Sequence, residues 1–192
     1  MLIQQVSIEN SETLKDVRIE DGKFVEIANH ITPKESEGLI DGCGKLLLPP
    51  FVDPHVHLDA TLTAGDPEWN QSGTLFDGIR IWSERKKKLT VEDVKKRAIQ
   101  TLNKQASHGT QFVRSHVDVT DPDLTALKAL LEVRDEVKDF IELQIVAFPQ
   151  EGILSFPHGK ELMTKAAEMG VDVIGGIPHF EFNREYGVES LH

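Results

Sequence analysis

The stretch Leu48-Pro49-Pro50-Phe51-Val52-Asp53-Pro54-His55-Val56-His57 decides the reading of this chain. An apolar run from Leu46 to Val52 leads into two histidines separated by a single residue. In a β-strand, side chains i and i+2 point to the same side, so both imidazoles project into one space. Imidazole is the commonest protein ligand for divalent first-row metals, and two of them on a rigid strand lose little freedom on binding. A His-x-His pair also occurs as a purely structural feature of surface strands. Here the setting points to a metal site: Pro49, Pro50 and Pro54 punctuate the entry, Asp53 and Asp59 flank the pair, and a small domain ends just before it.

Working outward, residues 1–48 read as a small β-sandwich-like segment. Leu2 to Ile8 alternates roughly, and Asp16-Val17-Arg18-Ile19 leads into Glu20-Asp21-Gly22, a hairpin-turn signal, with Phe24 to Ala28 on the far side. Asp41-Gly42 and Gly44 mark a further turn. Residues 49–192 change to strand and helix in alternation. A long loop from Leu58 to about Thr74 follows the first strand. Thr90 with Asp93 predicts a helix start, Val91 to about His108 the helix, and Gly109 its end. Gln111–Val119 is a second strand, and Asp121-Pro122-Asp123 opens a helix through Leu124, Leu127, Leu130, Val133 and Val137. Ile141–Phe148 is a third strand, Glu161–Met169 a helix closed by Gly170, and Val171–Ile177 a fourth strand.

That rhythm predicts a parallel sheet covered by helices. No glycine-rich phosphate fingerprint follows the first strand, which leaves a dinucleotide fold unsupported. Polar residues gather instead at successive strand ends: His55 and His57, His116 and Asp118, Gln150, then His179 and Glu181. A (β/α)8 TIM-type barrel carries its chemistry at that rim, and takes about 250 residues, whereas residues 49–192 supply about 140. The expected fold is therefore α/β, the N-terminal half of such a barrel in its first four βα units, behind a small β-rich segment.

Composition narrows the partners. A net charge of −11, spread along the chain, argues against non-specific binding to nucleic acid or anionic membranes. Cys43 is the only cysteine, so no internal disulfide can form and a reducing compartment fits. The start Met1-Leu2-Ile3-Gln4-Gln5 lacks the basic-then-apolar order of a signal peptide, and no apolar stretch approaches membrane-spanning length. A cytoplasmic location is the expectation.

LPPFVDPHVH (48–57) resembles the start of the barrel in the amidohydrolase superfamily. The likeness is closer to its bacterial cytosine deaminases, carried by HLDATLTAGDPEWNQSGTLFDGI (57–79), VRSHVDV (113–119), LQIVAFPQEGIL (143–154) and IPHFEFNREYGVESLH (177–192), in the same order. The resemblance implies hydrolytic deamination of cytosine to uracil and ammonia in pyrimidine salvage, with one divalent ion, iron or zinc. It implies a small-molecule nucleobase as partner and a homo-oligomer when the enzyme is complete. His55 and His57 match two metal ligands of that family. Gln150 matches the glutamine that bonds the pyrimidine amide edge, and Leu75 lies where backbone lines the base pocket. The family's acid/base glutamate and remaining metal ligands fall on later strands, beyond His192, so no catalytic acid/base is expected within this chain.

The residues themselves carry part of this logic. A side-chain amide offers both donor and acceptor, which suits a pyrimidine edge offering both, so Gln150 is a candidate substrate residue. His116, Asp118 and His179 are candidates for supporting positions around a metal. Asp59 and Glu181 read as structural carboxylates, Trp82 as helix packing or a pocket wall, and Lys86-Lys87-Lys88 as a solvated face. The fourth strand ends in Gly175-Gly176-Ile177-Pro178-His179 without a lysine that could bridge two ions, which favours one metal. With a single cysteine the chain cannot be a zinc deaminase of the P-C-x-x-C type. Two other readings stay open: an amidohydrolase acting on another cyclic amidine or triazine, and a non-catalytic half-barrel.

Overall fold

The computed structural model describes Met1–His192 and divides into two compact units, Met1–Pro49 and Pro50–His192. The first is one four-stranded sheet of β1 (Leu2–Val6), β2 (Lys15–Glu20), β3 (Lys23–Ala28) and β4 (Leu39–Asp41), in the order β3-β2-β1-β4. The segment expected to be sandwich-like thus contributes a single sheet. Asp21 and Gly22, at φ of 50° and 71°, make the tight turn between β2 and β3. Such a two-residue turn needs positive φ at both positions, and glycine at the second makes it cheap. Leu2, Val6, Val17 and Ile31 supply a small buried cluster, too little apolar material to hold the sheet alone. Polar groups assist. Buried Asp16 accepts the backbone N–H groups of Gln5 and Ile31, each at 2.9 Å, and Arg18 donates to Glu37, Glu26 and the Thr32 carbonyl.

The second unit holds β5 (Phe51–Val56), α1 (Leu75–Lys86), α2 (Val91–Ser107), β6 (Thr110–Asp118), α3 (Thr125–Val137), β7 (Glu142–Phe148), α4 (Gly159–Glu168), β8 (Val173–Ile174), a 3-10 turn at Pro178–Phe180 and α5 (Arg184–Glu189). Its strands are all parallel and lie in sequence order, β5-β6-β7-β8. That order decides between the two α/β layouts. A doubly wound sheet reverses its order at a switch point. Here each crossover moves one strand in the same direction, so right-handed connections lay α2, α3 and α4 on a single face. This is the arrangement of the first four βα units of a (β/α)8 barrel.

The helix-facing core follows the period of each element. Val94, Ala98 and Leu102 of α2 and Leu127, Leu130 and Val133 of α3 are fully buried against Val113, Val117, Ile145 and Ala147 of the sheet. Two boundaries differ from expectation. α3 begins at Thr125 instead of Asp121, because Leu124 adopts a left-handed conformation while the Asp121 carboxylate accepts the Asp123 and Thr125 N–H groups. The fourth strand shrinks to Val173–Ile174. α1 starts directly after the long loop, with the Thr74 side chain accepting the Asp77 N–H.

Candidate active site

The histidine pair reaches its position through an irregularity in β5. Pairing with β6 shifts register between Asp53 and Val56, the segment containing Pro54, which has no N–H to give to the ladder. Asp53 is thereby turned to Gln105 of α2, and Val56 packs against the helix-facing core. His55 and His57 consequently share the opposite face. Their ring centroids are 5.3 Å apart, and His116 from the end of β6 stacks on His55 at 3.9 Å. Phe148, at the end of β7, meets His57 and His116 edge-on at 5.6 and 5.7 Å.

His57 and His116 are biased toward the neutral imidazole. Burial, then the neighbouring His55, lowers the His57 pKa against a weaker pull from Asp118. Burial and the two histidines lower His116 to about 4. Neutral imidazole is the form that binds a metal. The Nδ1 of His116 is buried without a hydrogen-bond partner. No three His, Cys, Asp or Glu side chains converge as a complete metal site. The donor set therefore fits two positions of a metal shell, His55 and His57. His116 lies face-on to His55, a geometry that orients that ring.

The turn after His57 is pinned from several sides. Ala60 and Thr61 N–H both donate to the His57 carbonyl at 3.0 Å, Leu58 N–H donates to Ser115 Oγ at 3.1 Å, and Arg97 of α2 donates to the carbonyls of Asp59 and Thr61 at 2.7 and 2.8 Å. Asp59 is fully enclosed. Its Oδ2 accepts the Asp118 N–H at 2.9 Å, its Oδ1 has no partner, and burial, aided by the Asp118 charge, pushes its pKa up to about 7. Asp118 is saturated: Trp82 Nε1 donates to it at 2.8 Å, Lys86 Nζ at 3.1 Å, and the Thr120 N–H and hydroxyl complete its shell. It braces the rim and has no free oxygen for a ligand.

Lys86 corrects the sequence reading. It is only 10% exposed, bridging Asp118 and Glu151 and donating to Thr120 Oγ1 at 2.8 Å; only Lys87 and Lys88 form a solvated face. Trp82 likewise has a polar partner beyond packing. Arg97 and Lys86 escaped the sequence reading because a basic residue on a helix is ordinarily solvated. Gln150 is half-buried in the loop after β7. Leu75 is exposed at the first turn of α1, and His179 is exposed in the 3-10 turn, outside the histidine cluster.

Residues 38–191 match the model of the Amidohydrolase family. The chain belongs to that family. It is 54% identical to the structure of 5-methylcytosine deaminase from Klebsiella pneumoniae liganded with 5-fluorocytosine, with a TM-score of 0.93 over 100% of this chain and 46% of that one. It is 32% identical over 201 residues to the N-isopropylammelide isopropyl amidohydrolase of Pseudomonas sp. (strain ADP), covering 99% of this chain and 48% of the relative. A pterin deaminase of Rhizobium rhizogenes is 30% identical, across 84% of this chain and 37% of its own. The chain thus spans about half the length of the first two relatives, or less for the third. The likeness to the cytosine-deaminase group of amidohydrolases, and to the N-terminal half of the barrel, holds. No helix is long and apolar enough to cross a membrane.

Proposed function

We propose that this amidohydrolase chain is the N-terminal part of a metal-dependent enzyme that hydrolyses the exocyclic amine of cytosine to give uracil and ammonia, or that of a close pyrimidine analogue to give the corresponding oxo-pyrimidine. The observation that carries this reading is the 54% identity, along the whole chain, to a 5-methylcytosine deaminase structure holding a cytosine analogue. The pair His55 and His57 at the strand end supports it, as the two ligands this chain would give to one divalent ion, iron or zinc. When bound, such an ion lowers the pKa of water towards about 7 and supplies a hydroxide nucleophile at neutral pH.

The chain's own residues bind and orient. Gln150 presents a donor and an acceptor to the pyrimidine amide edge, the Leu75 backbone lines the base pocket, and Phe148 walls the histidines from one side. His116 holds the His55 ring, and Asp118 braces α1 against the rim. Overall, water adds to the ring carbon bearing the amine, the carbon–nitrogen bond breaks, and the ring nitrogen and leaving amine must be protonated. No carboxylate here is placed for that transfer: Asp59 is enclosed, Asp118 is saturated and Glu181 is held by a loop. The acid/base is therefore assigned to residues outside this chain, and the 192-residue polypeptide alone should turn over negligibly. The location we assign is cytoplasmic, in pyrimidine salvage, and the complete enzyme is a homo-oligomer.

The 32% identity to the N-isopropylammelide isopropyl amidohydrolase favours a second reading, release of an amine from a triazine. The test joins this chain to the second half of the Klebsiella pneumoniae enzyme and measures ammonia or amine release. Cytosine and 5-methylcytosine should both react, and His55→Ala with His57→Ala should abolish turnover and bound metal together. Turnover of triazines but of no pyrimidine would replace the first reading with the second.

A further inference from the structure

The loop after β7 is held by charged side chains at two places just beyond Gln150. At the farther place the carboxylate of Glu181, which follows the 3-10 turn, is enclosed by donors from that loop. It accepts the N–H groups of Ile153 at 2.6 Å, Leu154 at 3.2 Å and Ser155 at 2.9 Å, and the Ser155 hydroxyl at 2.8 Å. Ser155 Oγ in turn accepts the Phe182 N–H at 2.6 Å, tying the two rim loops together. Gly152 lies at φ +89°, and a Cβ there would sit 2.7 Å from Glu181 Oε2, so both its conformation and this close approach require glycine.

At the nearer place, Glu151 pairs with Lys86 and accepts the Ser83 hydroxyl at 2.9 Å, both from α1. Lys86 also grips Asp118 and Thr120 at the end of β6 and lies 5.4 Å from the Phe156 ring centre. Gln150 sits beside these anchors, and none of these bonds uses its side-chain amide. Rim loops ordinarily retain conformational freedom. Charge-assisted bonds that remove it before a ligand arrives lower the cost of binding.

We propose that Glu181 and Lys86 are positioning residues for Gln150, fixing the 150–155 loop so that its amide is preset for a planar ligand with adjacent donor and acceptor, such as a pyrimidine amide edge. The identity of that ligand rests on the functional reading above; the clamp does not.

The test is 15N NMR on the full chain, comparing wild type with Glu181→Gln, Lys86→Met and Lys86→Arg, each checked for folding by its circular-dichroism melt. Glu181→Gln should speed amide exchange at residues 153–155 by about tenfold or more and lower the order of the Gln150 backbone and side-chain amides. Lys86→Met should loosen Gln150 and Glu151, with Lys86→Arg restoring them. If Glu181→Gln fails to fold, Ser155→Ala, which removes one anchor only, takes its place. Unchanged Gln150 order in both the Glu181 (or Ser155) and Lys86→Met variants overturns the proposal. In the chain joined to the Klebsiella second half, the same variants should raise KM for cytosine by about tenfold with kcat within about twofold. A fall in kcat at unchanged KM would likewise overturn it. If the joined wild-type chain acts on no pyrimidine, the pyrimidine reading fails, while the relaxation data still decide the clamp.

Discussion

The two faces of the parallel sheet are made by alternate residues of the same strands, yet they are opposite in character. On the helix side, Val113, Val117, Ile145 and Ala147 disappear into a core shared with α2, α3 and α4. On the other side, Phe112 is 40% exposed and Val52 63%, and Arg114 reaches only across to Gln144. The histidine cluster stands on this open face. One face consumes its side chains in stability, and the other keeps both its functional groups and its apolar surface available. In a (β/α)8 barrel that face is the inside, which places the site and the barrel's own packing on one surface.

The contrast can be broken most directly by truncation on each face. Leu130→Ala, in the middle of the helix-side core, should cost about 2–5 kcal/mol of unfolding free energy. Phe112→Ala or Val52→Ala should fall within about 0.5 kcal/mol, as for ordinary surface positions. Urea titrations of the three variants give the comparison. Equal losses on both faces would show that something covers the open side in solution.

A second test takes the open face as a sticky surface. Its apolar residues and the unpaired edges of β5 and β8 favour self-association of the 192-residue chain. Phe112→Asp together with Val52→Asp should weaken that association by at least tenfold, about 1.4 kcal/mol, in sedimentation velocity. A wild-type chain that stays monodisperse and monomeric at high concentration would remove the premise.

How much of this was legible beforehand depends on the period of each element. The helix-side core followed from the three- and four-residue spacing of Leu127, Leu130 and Val133, and the paired histidines from the two-residue period of a strand. The face they occupy did not follow from counting alone. The irregularity at Pro54 changes the parity between Asp53 and Val56, and only the pairing with β6 reveals it. α1 carried a start signal, Thr74 with Asp77 three residues on, that was obscured by the polar loop before it. Lys86 was misread because its burial depends on where the end of α1 lands against Asp118 and Glu151, a tertiary fact absent from the run of three lysines.

The open face should also separate binding from folding. His55→Ala or His57→Ala should weaken divalent-metal affinity by at least about tenfold, since even residues that only support a ligand cost that much. The melting temperature of the metal-free chain should barely move, because neither ring belongs to the helix-side core. Elemental analysis alongside calorimetry reads both quantities. Loss of stability without loss of metal would make the pair structural.

The smallest effect lies at the rim joining the two faces. Burial pushes the Glu181 carboxyl up, but the N–H groups of Ile153, Leu154 and Ser155 and the Ser155 hydroxyl outweigh it and hold the pKa below the usual carboxylate value. Because the folded value is the lower one, the unfolded chain takes up the proton first as pH falls. The contribution is complete above the unfolded carboxylate value, near pH 4.5, and is lost as pH drops through the folded one. Glu181→Gln should therefore be less stable than wild type at pH 7 by on the order of 1 kcal/mol, and the gap should close in acid. The helix-side variant Leu130→Ala, which removes no titrating group, should show a gap that does not depend on pH. A gap for Glu181→Gln that persists unchanged in acid would mean that shape, not charge, holds the loop.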